Sequence, residues 1–112
     1  MAIVRADAIR TLAAASITGA YATLGAPLTH NWRTFKVTNM TDGDILISLD
    51  GTTDNFFVPA GGFTLYDLST NSPPISELDN FVMGINSQFY VKANTATTTK
   101  DVWLEGIYAK GE

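Results

Sequence analysis

The sequence predicts an all-β fold, a single β-sandwich or barrel. The run WRTFKVTNMTDGDILISLDGTTDNFFVPAGGFTLYDL, residues 32–68, alternates between strand-like and turn-like segments. Turn signals built from Gly, Pro, Asn and Asp recur at intervals of about ten residues, which is the spacing typical of sandwiches and barrels. At 112 residues, the chain has the length of one domain.

The N-terminal part is predicted to be an arm that leads into the sandwich. We expect residues 1–8 to form an extended arm and residues 9–112 to form the β-sandwich domain. Within residues 9–18, three consecutive alanines favour a helix. Alternation along the same segment favours a strand instead. We predict a strand there, with a helix as the alternative.

The next two strands carry the clearest alternation in the chain. Residues 32–38 place Phe35 and Val37 on one face as a core pair and Trp32 on the other face. Residues 39–43 are predicted to be a hairpin connection, because an Asp-Gly pair supplies the positive φ that such turns need. Residues 44–50 form the following strand. Its predicted inward side chains are Ile45, Ile47 and Leu49.

Shorter strands complete the prediction. Residues 56–58 form a strand that ends at a proline, and residues 63–68 form the next, with Phe63 and Leu65 on the face opposite Tyr66. An irregular connection is expected over residues 69–80, and a hairpin joins strands at residues 81–83 and 88–93. In the last strand, residues 100–109, both faces carry bulky side chains, which indicates a central or interface strand.

Composition and charge exclude or disfavour several functional classes. The net charge of −4 disfavours a nucleic-acid-binding surface, which is normally basic, and the absence of cysteine excludes disulfides and thiolate chemistry. No stretch approaches about 18 consecutive apolar residues, and the start MAIVRADAIRTLAAAS lacks the order of a signal peptide. We expect a protein made in the cytoplasm that uses no nucleic acid, membrane or cofactor.

The balance of apolar and charged residues bears on assembly. Hydrophobic residues make up 46% of the chain and charged residues 16%, whereas about 25% charged is usual. This balance indicates that other subunits cover part of the surface. The alternative is that Thr, Ser, Asn and Gly solvate the surface, as they do in many all-β domains.

The residues that could carry chemistry do not form a catalytic pattern. His30 is the only histidine, and the sequence specifies no nucleophile or carboxylate to work with it. We therefore predict that the protein is not an enzyme. Two neighbouring loops, TDGD and DGTTD, carry aspartates that favour Asx-turns by default, with a calcium site as the alternative. These aspartates are Asp42, Asp44, Asp50 and Asp54.

Aromatic residues are the best candidates for contacts. Most of them fall in predicted strands, where core packing is the default. Three fall opposite aliphatic faces, and such side chains tend to concentrate binding energy at interfaces. They are Trp32, Tyr66 and Trp103. A sugar-stacking platform is the alternative use for the same residues.

Several segments resemble small structural proteins of tailed bacteriophages. The phrases SLDGTTDN, VPAGGFTLYD and VWLEGIYA lie within a likeness that covers most of the chain, from about residue 17 to the C-terminus. The chain resembles in particular short virion proteins of podovirus-like phages, some of which act as capsid cement or decoration subunits.

This resemblance implies a jelly-roll-like sandwich located in the virion. It implies binding to the major capsid protein or other virion proteins, and a homo-oligomer, either a dimer or a trimer. The alternatives are a component of the phage neck, tail or fibre base, and a carbohydrate-binding module. In the cement interpretation, the arm and the outward aromatics carry the contacts. The candidate contact residues are Ile3, Val4, Trp32, Tyr66 and Trp103.

Overall fold

The protein is a β-sandwich in the computed structural model, which describes residues 4–68 and 83–109. Alternating apolar residues form its strands, and a short 3-10 turn covers Ala14–Ser16. The strands are β1 (Val4–Ala6), β2 (Arg10–Ala13), β3 (Ala22–Thr23), β4 (Trp32–Asn39), β5 (Ile45–Ser48), β6 (Phe56–Val58), β7 (Phe63–Asp67), β8 (Tyr90–Ala93) and β9 (Asp101–Ala109).

The strands form two antiparallel sheets. The front sheet has the order β1-β9-β4-β7, with β2 pairing along the same edge of β9 as β1. The back sheet has the order β3-β8-β5-β6. Strand β9 therefore lies in the interior of the front sheet, between β1 and β2 on one side and β4 on the other. This position explains why both of its faces carry bulky side chains.

The core fills the space between the sheets. Phe35, Val37, Ile45 and Ile47 are all buried, as their alternation predicted. Burying side chains of this size stabilises the fold by about 1.5–3 kcal/mol each. Other members of the same cluster are Leu24, Leu28, Val58, Phe89, Val91, Val102 and Leu104.

The prediction that Trp32 faces outward is wrong. Its side chain is 0% exposed and lies near Phe89, with 6.0 Å between ring centroids. The register of β4 against β9 shifts between Trp32 and Thr34. Such a bulge adds one residue to the strand, so each side chain before the bulge points to the opposite face of the sheet from the one that simple alternation predicts. Both Trp32 and Phe35 consequently point into the core.

The N-terminal segment belongs to the front sheet. Residues 4–6 were expected to be part of an extended arm, and they pair with residues 107–109 of the same chain. Residues 10–13 form the predicted strand, which gives way to the 3-10 turn at Ala14. In this segment Leu12 is half-buried, Ala14 and Ile17 are buried, and Ile9 is exposed.

The connection predicted as a hairpin at residues 39–43 instead crosses between the sheets, because β4 lies in the front sheet and β5 in the back sheet. The predicted connection 69–80, and two residues of the predicted strand 81–83, lie outside the described residues. Within residues 4–68 and 83–109, no helix is long and apolar enough to cross a membrane.

Candidate functional site

Exposed apolar side chains concentrate on the front face, by which we mean the side of the front sheet that points away from the core. Large hydrophobic residues that remain exposed number nine among the described residues, and five of them lie on this face. Phe63 and Leu65 are the most exposed, at 61% and 57%. The five are Ile9, Phe63, Leu65, Trp103 and Ile107.

Strand register arranges the front face in three rows. Neighbouring strands bring residues directly opposite one another, and side chains alternate between the two faces. From the edge of β1 and β2 towards β7, the first row is Thr11, Trp103, Thr38 and Phe63; the second is Glu105, Lys36 and Leu65; the third is Ala6, Ile107, Thr34 and Asp67.

A groove of about 400 Å³ lies between the middle and third rows. Ile9 and Ile107 line one side, Leu65 lines the other, and Lys36 and Glu105 contribute one charge of each sign. The ammonium of Lys36 lies 4.7 Å from the ring centroid of Phe63, where it gains a cation–π interaction. The site is thus an apolar surface with one charge of each sign at its centre and the acidic residues Asp7 and Asp67 towards one end.

Asp7 fixes the N-terminal segment at the end of this groove. Its carboxylate accepts a hydrogen bond of 2.9 Å from the indole N–H of Trp32, and it lies 3.5 Å from a guanidinium nitrogen of Arg10. The Asp7 amide also donates to the carbonyl of Gly106. Burial raises the pKa of Asp7, but the hydrogen bonds from Trp32 and the Ala8 amide, with the charge of Arg10, outweigh it and lower the pKa overall.

We expect Asp7→Asn to destabilise the fold at neutral pH by about 1–2 kcal/mol. The folded-state pKa of Asp7 is lowered, so its stabilisation is present above about pH 4 and is lost as the pH falls through that lowered pKa. Urea unfolding at several pH values tests this. Both Asp7→Asn and Trp32→Phe should show a weaker loss of stability on acidification than the wild type. Unchanged pH dependence in both variants would contradict the role assigned to this contact.

Among the three predicted aromatic contact residues, only Trp103 has its side chain on the front face, where it is 39% exposed. Tyr66 is also 39% exposed, but it points to the inner side of β7. Its ring packs against Phe35 and Phe56, with centroid distances of 5.4 and 4.9 Å. Tyr66 and Trp103 therefore lie on opposite sides of the front sheet, and with Trp32 buried the three do not form one platform.

The two N-terminal candidates are less fully described. Ile3 lies outside the described residues. The backbone of Val4 pairs with Ala109 in the front sheet. At this position the described contact is with the protein's own sheet.

The loop aspartates organise turns and connections between loops. Asp50 accepts bonds from the amides of Thr52 and Thr53, in the Asx-turn pattern. The Thr53 amide, followed by further bonds within the loop, lowers the pKa of Asp50. Asp42 instead joins its loop to the Thr98 loop, whose hydroxyl and amide lower the pKa of Asp42 to about 2.

The other two aspartates have separate partners. Asp44 accepts a bond from the amide of Ala60. Asp54 accepts one from the Tyr21 hydroxyl and lies 3.1 Å from the ammonium of Lys92. Across residues 4–68 and 83–109, no group of three or more acidic or histidine side chains is arranged to hold a metal ion.

His30 stacks on the ring of Tyr108, with 3.8 Å between centroids and planes within 1° of parallel. The carboxylate whose pKa it influences is Asp7, rather than one of the loop aspartates. Asp7 already holds Trp32 and Arg10. The described contacts of His30 are thus those of a residue packed at the end of β9.

Sequence reasoning did not single out most of the front face. It placed Phe63 and Leu65 together on one face of β7 but chose Tyr66, on the other, as the contact residue. Ile9, Lys36, Glu105 and Ile107 were not singled out as contact residues. The available signal was the double-sided bulk of β9, which indicated a central or interface strand, together with the alternation that put Ile107 on the same face as Trp103.

No protein-family model, characterised protein or solved structure matches the chain. Its function is therefore inferred from the geometry of its own residues, together with the resemblance seen in its sequence.

Proposed function

We propose that this protein is a virion structural protein of a tailed bacteriophage, a non-enzymatic cement or decoration subunit that binds the capsid through non-covalent contacts. The observation that carries the proposal is the concentration of exposed apolar side chains on the front face. Contiguous apolar patches on a protein surface mark sites of association. The front face is the surface through which we place this contact.

The composition of the front face suits a protein partner. Aromatic anchors carry much of the binding energy at protein interfaces, and the fully buried centre of an interface is more apolar than the rest of the surface. Trp103 and Phe63 supply the aromatic anchors here, and Leu65 and Ile107 supply aliphatic ones. Lys36 and Glu105 are the charged residues of the middle row. A partner would therefore need to meet apolar surface with one charge of each sign at its centre and acidic residues towards one end.

The strand pairing supports a jelly-roll type of sandwich, which the phage resemblance implied. Four antiparallel pairs, β2 with β9, β3 with β8, β4 with β7 and β5 with β6, are those of one long hairpin folded over into two sheets. Jelly rolls have eight strands in two sheets and occur in viral capsid proteins and in lectins. The fold alone does not establish function, so the front face supplies the main support.

Replacing the front-face anchors by polar residues should prevent incorporation into virions. We expect Phe63→Ser/Leu65→Ser to lower the number of copies per particle at least about tenfold, because two exposed apolar anchors are lost. The matched control is Phe57→Ser, which removes a similarly exposed phenylalanine from β6 of the back sheet. Phage lacking the gene, supplied with each variant in trans, are purified and their proteins quantified by mass spectrometry.

Two results would contradict the proposal. Purified wild-type virions that contain no copies of the protein would exclude a virion component. A front-face variant incorporated as well as Phe57→Ser would exclude the front face as the contact. Cryo-electron microscopy of the same particles separates cement from the alternative, because cement copies follow icosahedral sites whereas neck, tail and fibre-base components follow axial rings.

A further inference from the structure

We infer that in the free protein the front face is a self-association surface, on which two copies of this chain pack sheet against sheet about a two-fold axis. The pair must separate before the same face contacts the capsid. The axis runs parallel to the strands, midway between β4 and β9. The inference rests on the proposed assembly role of the front face and names a second copy as its partner. Four features of the described residues carry it.

The charges at the centre of the face are self-complementary. Lys36 on β4 and Glu105 on β9 lie directly opposite each other in the strand register, one on each side of the midline. A two-fold axis along that midline places Lys36 over the partner's Glu105 and Glu105 over the partner's Lys36. The two central charges of both copies are then paired, whereas a two-fold axis perpendicular to the strands would set Lys36 over Lys36 of the partner subunit. In the third row the same operation sets Asp67 over Ala6 of the partner subunit.

The sizes of the side chains are complementary about the same axis. In the first row the operation sets Phe63 against Thr11 of the partner subunit and Trp103 against Thr38 of the partner subunit. In the third row it sets Ile107 against Thr34 of the partner subunit. Large side chains thus meet small ones, which is how the faces of packed sheets interdigitate.

The apolar rims of the groove also meet. Leu65 lines one side of the groove and Ile9 the other. Rotation about the midline exchanges the two sides, so Leu65 of one copy lies over Ile9 of the other. Both side chains are about half exposed in the single chain, and this contact removes them from water. The same contact closes the groove from both sides.

The face is large enough for a weak dimer. At the usual rise and spacing, β9 extends about 30 Å, β4 about 27 Å and β7 about 17 Å, and four strands span about 19 Å. The footprint is therefore roughly 500 Å² per copy, which lies just below the usual range for specific interfaces and within that of weak ones. A second copy also satisfies the rule that both partners of an isologous contact use the same patch.

Mixing two charge-reversal variants tests the geometry. We expect Lys36→Glu and Glu105→Lys each to weaken self-association about 100-fold, because each homodimer would face two like-charge pairs. Mixed in equal amounts, the two variants should form a heterodimer, because every charge then meets its opposite across the axis. Sedimentation velocity of the wild type, of each variant and of the mixture, at about 100 µM and below, provides the measurement.

The mixing experiment distinguishes charge pairing between two chains from charge pairing within one chain. Pairing of Lys36 with Glu105 inside one chain would not be restored by mixing, because each chain keeps its own like-charged pair. Lys100→Glu, which makes the same charge change at an exposed residue outside the three rows, is the control and should leave the dimer intact. Leu65→Ser provides a second, uncharged test and should weaken the dimer about tenfold.

Three outcomes would overturn the inference: a monomeric wild type at about 100 µM, a mixture that stays monomeric while the wild type dimerises, and a Phe57→Ser variant that dissociates the dimer as strongly as Leu65→Ser. These outcomes are distinct from failure of the proposed function. A wild-type monomer that is found in virions would retain the virion assignment and reject the dimer. A wild-type dimer that is absent from virions would retain the self-association and reject the virion assignment.

Discussion

Gly106→Ala is expected to lower the free energy of unfolding by about 3 kcal/mol, at the upper end of overpacking effects. A methyl group placed on Gly106 would lie 2.1 Å from the Trp32 ring, well inside van der Waals contact. Neither partner can move freely. Trp32 is buried and hydrogen-bonded to Asp7, and Gly106 lies within β9, which pairs along both edges. Urea unfolding followed by circular dichroism measures the loss.

Gly19→Ala is the matched control for this prediction. A methyl group on Gly19 would meet no atom within 4 Å, so its effect should stay within about 0.5 kcal/mol. The double variant Gly106→Ala/Trp32→Leu should be more stable than the sum of the two single changes predicts, because the smaller side chain leaves room for the methyl group. Equal stabilities of Gly106→Ala and Gly19→Ala would show that the ring is free to move away.

The strands β4 and β5 are predictable because one face of each is buried. Period-two alternation groups Phe35 with Val37 and Ile45 with Ile47, so these four residues could be assigned to the core from the sequence alone. The long β9 was also predicted, since period-two alternation extends over its full length. Local pattern therefore determines where strands occur and which side chains share a face.

Local pattern does not reveal irregularities in pairing. The bulge between Trp32 and Thr34 depends on how β4 aligns with β9, a strand far away in sequence. One additional residue reverses the facing of a side chain, so Trp32 was assigned to the surface although it is fully buried. The crossing at residues 39–43 was missed for a related reason. An Asp-Gly turn has the same local sequence whether the next strand joins the same sheet or the opposite one.

The choice of which face is buried also depends on distant contacts. On β7, alternation separates Phe63 and Leu65 from Tyr66 but does not say which set points inward. The register decides, because Tyr66 lies opposite the buried Phe35. Phe63 and Leu65 therefore remain on the front face. The Asp7–Trp32 hydrogen bond could likewise not be predicted from local sequence, since it joins residues 25 positions apart.

Asn39→Ala is expected to lower the free energy of unfolding by about 3 kcal/mol. Asn39 is 0% exposed and lies at the end of β4, where the chain leaves the front sheet. Its amide nitrogen donates to the carbonyls of Gly43 and Val58, at 2.8 and 3.1 Å, and its oxygen accepts from the amide of Thr41 at 3.0 Å. One side chain thus ties the crossing between the sheets to the end of β6.

Removing this side chain leaves buried polar groups without a partner, and each such group costs about 1–3 kcal/mol. Chemical unfolding measures the change, with Asn94→Ala as the control at an exposed asparagine. An effect of Asn39→Ala no larger than that of the control would show that water or neighbouring groups replace the lost bonds.

The isosteric change Asn39→Asp separates the donor and acceptor halves of this contact. An aspartate keeps the acceptor for Thr41 but directs a second oxygen at the carbonyls of Gly43 and Val58, which repel its negative charge. The pKa of that carboxyl should therefore be raised in the folded state. Stability of Asn39→Asp should then fall as the pH rises above the unfolded pKa of about 4 and recover on acidification. Asn39→Ala gains no such dependence, so a pH-independent difference between the two variants would refute the donor role of the Asn39 amide.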